Sequence, residues 1–131
     1  MIAGYVAFSI LLLVVLLWER ALVLRFLRAH DSIADAAALS EFKQVARWNM
    51  YGALAVLGAG VVQIAWCALL VFRYGGLGLI ILLSSCIASL FLGLNTKKIE
   101  ARARGLECIE DLKSEYSRVS EVWVKKALPD F

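Results

Sequence analysis

Two long uncharged stretches dominate the pattern of this sequence. No charged residue falls between Arg47 and Arg73, and none falls between Arg73 and Lys97. Each stretch exceeds the roughly 20 residues that cross a hydrocarbon core about 30 Å thick. A chain in lipid must satisfy its own backbone hydrogen bonds, so both stretches are predicted to be helices. Gly75 and Gly76 supply the conformational freedom of a short turn, and residues 49–95 therefore predict a transmembrane helical hairpin.

Residues 1–29 predict a first transmembrane helix with an interfacial extension. Ile2–Trp18 is uncharged, and the apolar pattern continues to Leu27. A cleaved signal peptide is the competing interpretation, but no basic segment precedes the apolar run and no small-residue cleavage site follows it. We therefore expect the helix to be retained. The long basic side chains of its extension are expected to reach lipid headgroups, and they are Arg20, Arg25 and Arg28.

Residues 30–48 predict an amphipathic cytoplasmic connection. His30-Asp31-Ser32 is typical of a chain break followed by a helix N-cap at Asp31 or Ser32. From Ile33 to Trp48 the apolar residues favour one side at helical spacing, and charged residues supply the other side. This pattern favours a helix that lies at the membrane interface.

The last segment, residues 96–131, predicts a cytoplasmic amphipathic helix and a short tail. The helix is expected to run from about Asn95 to Leu128, because Pro129 cannot continue it. One apolar seam recurs at alternating spacings of three and four residues. We expect this seam to dock a partner protein through Ile109, Leu112, Tyr116, Val119 and Trp123.

Composition and charge fix the class of protein and its orientation. Of the 131 residues, 62% are hydrophobic, a content that ordinary soluble domains of this size rarely reach. The predicted fold class is an all-α integral membrane protein with three transmembrane helices plus an amphipathic cytoplasmic C-terminal helix. Arg73 is the only Lys or Arg outside residues 20–47 and 97–126. The positive-inside rule therefore predicts an outside N-terminus and a cytoplasmic C-terminus, and we expect a bacterial inner membrane.

Small residues form two stripes within the predicted hairpin. The residues expected to pack helices closely are Ala55, Ala59, Gln63, Ser85, Ser89 and Gly93, and Cys67 continues the first stripe. Two interpretations stay open, since the stripes can seal the hairpin itself or bind another subunit. Gln63 lies about as far from the turn as Ser84 and Ser85, so we expect a hydrogen bond between them. An ion-binding role for Gln63 is the alternative.

The sequence offers little that could carry chemistry. No charged residue or histidine is expected deep inside a span, and His30 lies in the connection. Cys67, Cys86 and Cys108 are expected to stay reduced. Glu107, Glu110, Asp111 and Glu115 are expected to form a solvated face. We therefore expect no catalytic residues, no metal or cofactor, and no nucleic-acid partner.

The leading hypothesis is a non-catalytic structural or assembly subunit of a larger membrane protein complex. Its partners would be other membrane subunits, in a homo- or hetero-oligomer, together with anionic lipid headgroups. The predicted order of helix, cytoplasmic segment, membrane hairpin and cytoplasmic tail is similar to the topology of proton-driven motor stator channel subunits. That resemblance implies the alternative of a homo-oligomeric channel or motor ring, with pore-lining candidates at Ser84, Ser85 and Ser89. A membrane enzyme is the third hypothesis.

Overall fold

Four helices make up 85% of the chain. The computed structural model describes all 131 residues. The helices are α1 (Ile2–Ala29), α2 (Ala36–Tyr74), α3 (Gly76–Ala103) and α4 (Glu110–Lys125). Two short strands, β1 (Ser32–Ile33) and β2 (Glu107–Cys108), pair in parallel. The expectation of an all-helical fold is thus confirmed.

Three of the helices are long and apolar enough to cross a membrane. They are α1, α2 and α3, whose most apolar windows have mean hydropathies of 2.3, 2.3 and 2.4. Large apolar side chains cover their outer faces, and Phe72 is 91% exposed. Such a surface is stable against lipid and unstable against water, so the fold is that of a membrane protein.

Helix α2 is longer than the sequence pattern indicates. It runs without interruption for 39 residues, or about 58 Å at 1.5 Å per residue. The predicted interfacial connection and second span are therefore a single helix. The N-cap is Asp35, whose Oδ1 accepts a hydrogen bond of 2.7 Å from the backbone N–H of Ala38. The expected cap at Asp31 or Ser32 is wrong, because β1 holds Ser32 and Ile33 in extended conformation.

The hairpin turn depends on one glycine. Gly75 has φ 58° and ψ −128°, and it is the only residue with positive φ. This conformation is strained for residues with a side chain, whereas Gly76 is already helical. Just beyond the turn, a Cβ atom on Gly78 would lie 2.8 Å from the backbone oxygen of Leu70. The two helices therefore approach backbone to backbone at Gly78, a contact that the small-residue stripes did not include.

The predicted helix over residues 95–128 is broken. Helix α3 ends at Ala103, and β2 precedes a separate α4. The Tyr116 hydroxyl stabilises this break, because it donates to the Ala103 oxygen at 2.8 Å and accepts from the Leu106 N–H at 3.1 Å. The phenol is buried, and this burial raises its pKa. Since the phenol satisfies groups on both sides of the break, α4 can fold back.

The main hydrophobic core lies at the end of the bundle opposite Gly75. We call this end the cap, comprising residues 23–50 and 103–131. Phe42 occupies its centre, with ring centroids 5.7 Å from Phe26, 4.8 Å from Tyr116 and 5.6 Å from Trp123. The core consists of Val23, Phe26, Ile33, Ala38, Leu39, Phe42, Ala46, Met50, Ala103, Tyr116, Val119, Val122 and Trp123. The ends of α1, α2 and α3 and the whole of α4 therefore share one core at this end of the bundle.

Candidate functional site

The apolar seam of α4 packs largely on the protein's own helices. Tyr116, Val119 and Trp123 are buried in the cap core, whereas Leu112 is half-buried. Ile109 is 44% exposed. These three buried residues pack on other helices of the same chain. The seam pattern predicts a covered face, but it does not tell whether the same chain or a separate protein covers it. Docking of a partner on this helix stays a prediction.

Polar contacts fix α4 in this position. The Trp123 Nε1–H donates to Asn49 Oδ1 on α2 at 3.0 Å, and both residues are buried. Lys43 of α2 forms an ion pair with Glu115 of α4. The buried bond specifies the register of α4 along α2, because an unpaired indole N–H in the core would lose its hydrogen bond to water.

A second polar cluster joins the three spans about midway along the hairpin. Gln63 Nε2 donates to Ser9 Oγ at 3.0 Å and to the Tyr5 hydroxyl at 3.3 Å. The Tyr5 hydroxyl lies 2.8 Å from Ser85 Oγ. Gln63 is therefore linked to Ser85 through Tyr5, and the expected direct bond to Ser84 or Ser85 does not form. Tyr5 is only 1% exposed, so its ring packs inside the bundle.

The small residues of the two stripes have different surroundings. Ala55 and Ala59 line a shallow apolar groove with residues of α1, so this stripe faces the first helix. Ser89 is half-buried. A Cβ atom on Gly93 would meet nothing within 4 Å, so α2 and α3 leave space there. The stripe on α2 therefore packs toward α1, whereas the stripe on α3 leaves open space at Gly93.

The three arginines of the α1 extension are available to anionic groups. Arg25 and Arg28 are exposed and Arg20 is half-buried. None of them takes part in the four ion pairs of the chain, which are His30–Glu41, Lys43–Glu115, Lys125–Glu121 and Lys126–Asp130. Contact of these arginines with lipid headgroups stays a prediction.

A buried carboxyl group is the feature that sequence reasoning missed. Glu19 is only 4% exposed, and its Oε1 has no hydrogen-bond partner. Its carboxyl group packs against Gly52 of α2, where a Cβ atom would overlap Oε1. Glu19 follows the predicted first span directly, where α1 continues past Trp18 and buries it, and the expectation that no charged residue lies deep inside a span stays a prediction.

The sequence did carry a signal for this position. The buried face of α1 is Leu12, Leu16, Glu19, Val23 and Phe26, at spacings of three and four residues. Glu19 thus occupies a core position in an otherwise apolar stripe. A lone carboxyl group at such a position is rarely buried without a function or a partner.

Glu19 opens onto a cavity of about 320 Å³. The cavity lies between the spans and the cap, and all four helices contribute to its lining. Its polar residues are Glu19, Asn49, Thr96, Lys97, Glu100 and Lys126. The Asn49 Nδ2 group is buried and, like Glu19 Oε1, has no partner. The cavity is therefore lined by two buried polar residues, although their unpaired atoms are not exposed to it, and it is our candidate functional site.

The site does not have the donor set of a metal centre. No group of three or more His, Cys, Asp and Glu side chains is placed to hold a metal ion. Comparisons with protein-family models, curated proteins and solved structures gave no match. The case for function therefore depends on the geometry alone.

A double-mutant cycle tests the packing of Glu19 on Gly52. In the wild type, Gly52→Ala should lower the unfolding temperature, because the new methyl group displaces the buried carboxyl group. In a Glu19→Ala background the same change should be neutral or stabilising, since alanine favours a helix by up to about 1 kcal/mol over glycine. We expect a coupling free energy on the order of 1 kcal/mol from unfolding in detergent. If the two substitutions change the free energy of unfolding additively, the Glu19 carboxyl group does not pack on Gly52.

Proposed function

We propose that this protein is a non-catalytic structural or assembly subunit of a larger membrane protein complex. The observation that carries the proposal is unfilled space beside glycines on the spans. A Cβ atom on Gly58 or Gly60 of α2 would meet nothing within 4 Å. Small residues favour helix association in lipid because they let two backbones approach closely. The protein's own helices leave these glycines uncovered.

Exposed apolar residues on the cap support the same proposal. Tyr116, Val119 and Trp123 pack α4 on its own chain. A partner would therefore contact the apolar residues of this region that remain exposed. The exposed fractions of Ile109, Val124 and Leu128 are 44%, 62% and 60%. These side chains lie on α4 and beside it, where the chain is polar and the spans have ended. We propose that they form the docking surface of the cap.

The proposed orientation places the cap in the cytoplasm and the N-terminus outside, in a bacterial inner membrane. All Lys and Arg residues except Arg73 lie in the cap or within six residues of it along the chain. Charge asymmetry of this kind favours retention of the basic end in the cytoplasm.

One observation favours the alternative, a homo-oligomeric channel or motor-stator-like ring. The buried Glu19 is an ionisable group inside a candidate span, and such groups often mark ion pathways. A ring of identical chains with measurable proton or cation flux in liposomes would favour this alternative over an assembly subunit.

The assembly proposal predicts the effect of adding bulk at the open glycines. Gly60→Leu should leave the fold intact, because space is available, but should reduce the yield of co-purifying chains in mild detergent. The expected loss is about tenfold, corresponding to roughly 1.4 kcal/mol of lost contact. Ala7→Leu adds similar bulk to the exposed face of α1 and serves as the control. Unchanged partner yield with Gly60→Leu would mean that this face contacts lipid alone.

The proposed orientation predicts a labelling pattern in intact cells. In a variant whose native cysteines are replaced by alanine, Gly76→Cys should react with an impermeant maleimide and Ser117→Cys should not. Native Cys108 is a poor reporter because it is half-buried, and desolvation raises the pKa of its thiol and so slows alkylation. Labelling of Ser117→Cys from outside, with Gly76→Cys protected, would reverse the orientation.

A further inference from the structure

Two grooves lie between α1 and α2 on one face of the bundle. The first, which we call the cap groove, has a volume of about 420 Å³ and is lined by residues within 18–29 and 41–48. The second, which we call the span groove, has a volume of about 120 Å³ and is lined by residues within 8–15 and 55–59. On α1 the lining residues recur every three or four positions, as in Val15, Trp18, Leu22 and Arg25. Both grooves therefore open on the same side of the helix pair.

Two tryptophans mark the depth of these grooves in a bilayer. Trp18 and Trp48 are the members of the cap groove nearest the span groove, and their ring centroids lie 6.1 Å apart. Each stands at the cap-side end of an uncharged stretch, because Glu19 follows Trp18 and Arg47 precedes Trp48. Tryptophans at such positions usually lie at the headgroup level of a membrane. The cap groove is therefore at the level of the headgroups, and the span groove is beside the acyl chains.

We propose that the two grooves bind one anionic phospholipid, with its phosphate beside Arg25 and one acyl chain in the span groove. Every residue that lines the span groove is hydrophobic. From Trp18 to Phe8 the groove extends over ten residues, or about 15 Å along α1. This length is half of a hydrocarbon core about 30 Å thick, which is the depth of one leaflet. The grooves thus match a lipid in both polarity and length.

Arg25 supplies the cation for the phosphate. Its side chain is exposed, and it takes part in none of the four ion pairs of the chain. Side chains of a helix tilt toward its N-terminus, so Arg25 leans toward Trp18 and the membrane. A guanidinium group can bind two phosphate oxygens at once. Gln44 lines the same groove from α2, and its amide can donate a further hydrogen bond to the headgroup.

The charges of the cap groove favour an anionic headgroup over a zwitterionic one. Glu41 is the only acidic residue in its lining, and the Glu41 Oε2 atom lies 2.6 Å from His30 Nε2, within hydrogen-bonding distance. Arg25 is therefore the one charged group of the groove without a partner. A phosphatidylglycerol headgroup brings a phosphate for Arg25 and hydroxyl groups for Gln44. A phosphatidylcholine headgroup brings the same phosphate together with a cation that finds no free carboxylate.

Lipid retention by the full chain tests the proposal. The protein is delipidated in detergent, incubated with equal amounts of phosphatidylglycerol and phosphatidylcholine that carry identical acyl chains, and weighed by native mass spectrometry. We expect one phosphatidylglycerol per chain, preferred by about tenfold, because the free charge of the cap groove is positive. Equal retention of the two lipids would overturn the proposal.

Arginine variants locate the headgroup. Arg25→Gln removes the charge of the cap groove and should abolish the preference for phosphatidylglycerol. Arg28→Gln removes an equally exposed charge from the same helix outside the groove and should leave the preference unchanged. A preference that survives Arg25→Gln would overturn the proposal. Loss of the preference in both variants would show that it follows net charge, and the assignment to this groove would be wrong.

Alanine variants locate the acyl chain. Ala55→Leu places a larger side chain in the span groove and should reduce retention of phosphatidylglycerol about tenfold. Ala65→Leu adds the same bulk at another exposed alanine of α2 outside the grooves and should bind lipid normally. If Ala55→Leu retains as much lipid as the wild type, the span groove holds no acyl chain and the proposal is wrong.

A soluble competitor separates the lipid from its phosphate. Glycerol phosphate carries the anionic group without acyl chains, and we expect it to displace phosphatidylglycerol only at concentrations about a hundredfold higher, or not at all. Displacement at equal concentration would show that the cap groove recognises a free phosphate, which would overturn the assignment to a phospholipid.

Discussion

The packing of Trp123 and Tyr116 on Phe42 is the interaction on which the rest of the structure depends. Phe42 belongs to the N-terminal part of α2, and it is fully buried between α1 and α4, which folds back over it. The same packing positions Asn49, whose oxygen accepts the indole N–H of Trp123. Asn49 and Trp123 both line the cavity beside Glu19. The docked α4 therefore supplies one wall of the candidate site.

Local sequence patterns predicted the spans and the turn. The features that were not predicted depend on contacts between residues far apart in the sequence. The uncharged runs and the glycines at residues 75 and 76 predicted the hairpin, because lipid imposes length and backbone pairing on any chain. The break after Ala103 is held by the Tyr116 hydroxyl and by the pairing of Cys108 with Ile33, which is distant in the sequence. No periodicity within residues 95–128 could reveal that pairing.

The candidate site was missed for a related reason. Counting charges treated Glu19 as the end of the first span, although it continues the buried stripe of Leu12 and Leu16. The small stripe around Gln63 was predicted as a packing surface, but its actual partners, Tyr5 and Ser9, lie on α1. The pattern around Gln63 could not name the helix that covers it, and the buried face of α1 was not predicted at all.

The central claim is that α4 is held on its own chain by Trp123, and hydrogen exchange of the α4 amides tests it most directly. Replacing a buried tryptophan with alanine costs about 3–5 kcal/mol, so Trp123→Ala should remove most protection from α4. The spans should keep their protection, and the protein should still insert into membranes. Val124→Ala, at the neighbouring exposed position, should change little. If the α4 amides of Trp123→Ala exchange as slowly as those of the wild type, the docked cap described here is wrong.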